Sequence, residues 1–188
     1  MTAVPLPREP TKTIVPIVSI NPETGLAHEL WGTAFFLGPT LLMSAKHVLG
    51  VELPEGLRLA AVFLETDGLS AFTIDRIYLD PDFDVGIAEV NGWPPDQDCL
   101  TLANHDELHI NRGVLTVEYS PTTQHVPMPD GRRAMELSAN RHQGHIVRDY
   151  VSDFGHEHPT ACIDLSFAAF DEQAALRLST PIMEKCWD

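Results

Sequence analysis

His47 is the residue whose chemistry the sequence presents most openly. It follows Thr40–Ser44, a short apolar run, through Ala45 and Lys46. An imidazole fixed at the end of a strand can exchange a proton near neutral pH with a group in a neighbouring cleft. A core histidine satisfies the same spacing, so position alone leaves both readings open. Three acids, Asp80, Asp82 and Asp84, precede the apolar run Val85–Val90. Acids in front of a strand commonly serve as solvated turn formers. His105-Asp-Glu-Leu-His109 places two histidines four apart. That is close to the zinc-protease spacing, but its second residue is Asp, one methylene short of the glutamate the chemistry needs. Asn111-Arg-Gly113 also ends any helix there within a turn. No metal is expected at that site. His142, His145, His156 and His158 read as loop residues.

The elements that must hold these groups are short strands. Thr11–Ile20 alternates around Ile14, Val15, Ile17 and Val18. Thr33–Leu37, the Gly38-Pro39 turn and Thr40–Ser44 read as a hairpin. Leu57–Leu64 reads as a strand, Thr66-Asp67-Gly68 as a turn and Leu69–Leu79 as a further strand or pair of strands, and Val85–Val90 follows the acids. Short strands with turn signals at near-regular spacing indicate an all-β barrel or sandwich. Asn91–Gln97 holds Gly92, Pro94 and Pro95 and reads as a linker. Beyond it, Val114–Tyr119, Ala134–Asn140, Gly144–Val151 and Ala161–Phe167 read as further strands, with a Pro-rich loop over Ser120–Arg133.

Composition narrows the partners. Only 12 Lys and Arg stand against 27 Asp and Glu, a net charge of −15. A surface that reads phosphates needs the opposite balance, so nucleic acid is excluded as a partner. Cys99, Cys162 and Cys186 are odd in number and widely spaced, which gives neither a disulfide framework nor a metal spacing. No stretch has membrane-spanning length, and Met1–Thr13 carries no apolar leader. These features set the expectation of a cytoplasmic protein without membrane association. Oligomeric state is not legible.

Gly32-Thr33-Ala34-Phe35, a turn, an apolar strand and then Ser44-Ala45-Lys46-His47-Val48 resemble the histidine segment of chymotrypsin-like (trypsin-fold) serine peptidases. Ala34 and Lys46 depart from that family's commonest residues. Asp84-Val85-Gly86-Ile87-Ala88 is similar to its aspartate segment, and Gly113-Val114-Leu115-Thr116-Val117 to the entry of its second barrel. The resemblance covers roughly Ile14–Phe167. It implies two six-stranded antiparallel barrels, the first over 1–92 with His47 and Asp84, the second over 93–188. It implies a cofactor-free serine endopeptidase acting on peptide or protein substrates through an acyl-enzyme. His47 is then the general base, and a buried Asp84 orients it.

The family's nucleophile motif, Gly-x-Ser-Gly-x-Pro, does not occur. Ser179 precedes Thr180-Pro181 but has no flanking glycine, and no glycine follows Gly155. The second barrel is therefore expected to be incomplete, truncated or altered after about residue 171. One hypothesis that would account for this is a slipped reading frame near Glu172. Read from the third base of each codon, Met183–Asp188 becomes Gly-(Lys/Glu)-(Val/Met)-Leu-Gly, and Gln173–Leu178 permits Ser-Gly-Ala-Pro-Val. As written, the chain is expected to be inactive, with Ser179 a weak nucleophile candidate. The rival expectation is a non-catalytic interaction module that keeps the peptidase fold and its own tail.

Overall fold

A computed structural model describes residues 13–65, 68–92, 98–102, 109–119, 125–127, 133–135, 137, 139–152 and 160–167. The chain is all-β. Six strands, β1 (Ile14–Ile20), β2 (Ala27–Gly38), β3 (Leu41–Ser44), β4 (Arg58–Glu65), β5 (Gly68–Leu79) and β6 (Gly86–Val90), close into an antiparallel barrel in the order β1-β2-β3-β6-β5-β4. A single helical turn, α1 (Lys46–Leu49), follows β3.

Side-chain alternation explains why these segments read as almost continuously apolar. Successive residues of a strand point to opposite faces. Val15 and Ile17 of β1, Ala34 and Phe36 of β2, Leu42 of β3 and Leu59, Ala61 and Phe63 of β4 fill the barrel interior. Their neighbours Ile14, Val18, Phe35, Met43, Ala60 and Val62 point outward, yet they are buried too. What covers them comes from the second half of the chain, including Leu115, Val117, Tyr119, Leu137 and Ala139. Every residue of β1 is buried for this reason.

That second half contains β7 (Gly113–Tyr119), β10 (Ala139–Ser152) and β11 (Thr160–Leu165), an antiparallel sheet in the order β11-β10-β7. It also contains a two-stranded ribbon of β8 (His125–Pro127) and β9 (Arg133–Met135). Among the described residues the fold is thus one closed six-stranded barrel, a smaller three-stranded sheet and a two-stranded ribbon. Two details differ from the sequence expectation. The Pro-rich segment Ser120–Arg133 contains β8, which Pro127 can join because the ribbon has only one partner strand. His142 and His145 lie within β10, which runs unbroken where two strands and a loop were expected. Gly144 accounts for the difference. It works as a close-approach position and not as a break, because a Cβ there would stand 2.4 Å from a Phe167 ring carbon.

Candidate active site

Strand register brings the two candidate residues together. β3 pairs with β6 so that Ser44 faces Gly86. His47 lies just beyond Ser44 and Asp84 just before Gly86, so both emerge at the same barrel rim. Ser44 anchors the strand end: it is buried, and its hydroxyl donates to the Thr33 carbonyl of β2 at 2.7 Å.

The turn that carries His47 cannot be stable through its own backbone. Its bonds are Val48 N–H and Leu49 N–H to the Ala45 carbonyl and Gly50 N–H to the Lys46 carbonyl, too few to offset helix nucleation. Packing holds it instead. Val48 and Leu49 are buried in the barrel cluster, which turns His47 outward. Gly32 makes room for Val48, because a Cβ at Gly32 would lie 2.7 Å from a Val48 methyl.

Asp84 sits in the loop between β5 and β6. Asp80 shapes that loop. One of its carboxylate oxygens accepts the N–H groups of Asp82 and Phe83, both at 2.9 Å, and its own N–H donates to the Val85 carbonyl at 2.9 Å. The amide bonds hold the Asp80 carboxyl below its ordinary range, with a smaller contribution from the Lys46 charge.

Within this frame Asp84 engages His47 twice. Its Oδ2 lies 2.7 Å from His47 Nδ1, and its Oδ1 accepts the His47 backbone N–H at 3.0 Å. A carboxylate only accepts, so Nδ1 of the neutral ring carries the proton and Nε2 keeps its lone pair. This is the tautomer a general base requires. The side chains are 42% and 38% exposed. The expected burial of the aspartate is therefore corrected: the pair stands at a rim where β3 and β6 end, and solvent screens its attraction.

Ser179, His105, His156 and His158, and the whole segment 168–188 with its frame-shift reading, lie outside the described residues. Among the described residues no three His, Cys, Asp or Glu side chains gather into a metal-binding group. His142 Nε2 is 3.3 Å from Glu118 Oε1, and its ring stacks on Phe167 at 5.9 Å. This pairing is on the second sheet. Three hydrogen bonds made by residues of the first barrel escaped the sequence reading. Lys46 Nζ donates to the Asp80 carbonyl at 2.7 Å and the Pro81 carbonyl at 3.2 Å. Thr33 Oγ1 accepts the Tyr119 N–H at 2.7 Å across the two halves.

No helix among the described residues is long and apolar enough to cross a membrane. No family model matches the chain, and no curated protein matches it. Solved structures do. One of them, described as the structure of GrC, matches with a TM-score of 0.49 and 8% identity over 76% of this chain and 63% of that one. The chain thus spans less than two thirds of that protein's length, and the fold assignment rests on the strand order of the molecule itself.

Proposed function

We propose that the chain is a trypsin-like serine endopeptidase domain by descent, acting in the cytoplasm on peptide or protein substrates without a cofactor. The observation that carries this reading is the double engagement of His47 by Asp84 at the rim of a closed six-stranded barrel. In the reaction a serine hydroxyl attacks the scissile carbonyl while His47 Nε2 takes its proton. Asp84 stabilises the imidazolium, which then protonates the leaving amine. Water repeats the sequence on the acyl-enzyme. Residues 1–92 supply the base and its orienting acid. The second barrel, residues 93–188, is where the nucleophile and the remainder of the substrate cleft belong in this reaction.

The chain as written lacks Gly-x-Ser-Gly-x-Pro, so it is expected to be inactive. Resequencing the gene across the codons for 168–188 decides whether the frame has slipped. In a frame-restored chain a fluorophosphonate probe is expected to label the new serine, and peptide hydrolysis to depend on it. His47→Ala should remove nearly all of that hydrolysis. Asp84→Asn should lower kcat by roughly 10⁴, through the wrong tautomer. Stoichiometric labelling of Ser179 in the chain as written would overturn the inactive reading. An unaltered gene would make the pair a relic, and a protein partner retained by the intact chain would then identify it as a binding platform.

A further inference from the structure

The geometry points to Lys46 as a positioning residue that holds the Asp80–Asp84 loop so that Asp84 meets His47. This rests on the reading of His47 and Asp84 as base and orienting acid. Lys46 and His47 are consecutive residues of one helical turn, and each grips the same loop. Lys46 takes its near end through the carbonyls of Asp80 and Pro81. His47 takes its far end through both oxygens of Asp84.

Donors and acceptors in the loop divide cleanly. The Asp80 carboxylate satisfies the N–H groups of Asp82 and Phe83 from within. Pro81 has no N–H to offer. The carbonyls of Asp80 and Pro81 face the ammonium, a group with three donors and no acceptor. Charge-assisted bonds of this kind are shorter and stronger than neutral ones, in keeping with the 2.7 Å contact to Asp80. The lysine is half-buried while the neighbouring His47 is exposed, so its stem packs and its head reaches the loop. An ordinary surface lysine would place its ammonium in water and leave the loop to itself.

The test is proton NMR of the full chain as it exists, which needs no nucleophile. Two signals report the pair: the strongly deshielded Nδ1 proton of His47, and hydrogen exchange of the His47 backbone amide that donates to Asp84. Lys46→Met keeps the length of the stem and removes the donors. It is expected to broaden or erase the Nδ1 signal and to speed His47 amide exchange about tenfold, the loss of roughly one charge-assisted bond. Amides of the barrel core, such as those of Ile17 and Phe36, are expected to keep their protection. Lys46→Arg retains donors and is expected to keep the Nδ1 signal.

An unchanged Nδ1 signal and amide rate in Lys46→Met would overturn the proposal. So would an equal acceleration at Ile17 and Phe36, since that describes general destabilisation. A parent chain with no deshielded Nδ1 proton would overturn the His47–Asp84 reading itself, and the proposal with it.

Discussion

Asp84 gives both carboxylate oxygens to one residue, while Asp80, four positions earlier, gives one oxygen to two amides of its own loop. The two acids therefore fail in different ways. Asp80 has its pKa lowered from 3.8 in the fold, first by the Phe83 amide and then by that of Asp82. Its contribution to the loop is thus complete above the ordinary value and is lost as pH falls through the lower, folded one. The charged group that acts on it is Lys46, which lowers it further. Acid titration followed by NMR is expected to shift the Phe83 amide below pH 3.8, the ordinary Asp value, and Asp80→Asn should flatten that response. Sequence reading singled out His47 and Asp84 through the family resemblance of the segments around them, since residue type and position alone left both open, and the structure brings the two together. It placed Asp80 only as a turn former, which the structure bears out. Lys46 was out of reach, since its partners are backbone carbonyls and a carbonyl carries no residue signature.

At the scale of elements, the position of His47 depends on how closely β2 approaches α1. Gly32 permits that approach, and a methyl there meets Val48. Gly32→Ala is expected to destabilise the barrel by about 1–3 kcal/mol through overpacking, measured by urea denaturation. Because Val48 adjoins His47, the same variant should disturb the His47 Nδ1 resonance as well. The β2–β3 hairpin was legible because Gly38-Pro39 separates two apolar runs. The continuity of β10 was not. Gly144 reads in a sequence as punctuation, and only the approach of Phe167 from across the sheet shows that it belongs inside the strand.

At the scale of the molecule, two different joints hold the fold. The barrel interior is centred on Phe36, fully buried and 5.4 Å from the Phe63 ring. Phe36→Ala is expected to cost about 3–5 kcal/mol in equilibrium unfolding. The seam between barrel and second sheet is partly polar: Thr33 Oγ1 accepts the Tyr119 amide. Thr33→Val keeps the shape and orphans that amide, at a cost of about 1–3 kcal/mol, and should speed Tyr119 amide exchange before it affects Phe36. Strand content and class were legible from alternation and turns. Barrel closure was legible only through the family resemblance, because the β1–β4 pairing joins Ile17 to Ala61, and no local pattern encodes a partner so far along the chain. The barrel nevertheless takes all six of its strands from Ile14–Val90, which gives it a place in time as well as in space. Chains fold as units from the N-terminus while they are being made. His47 and Asp84 can therefore meet while the residues that form the second sheet are still being added. Changes to the late part of the message would then reach the ribosome after His47 and Asp84 have already met.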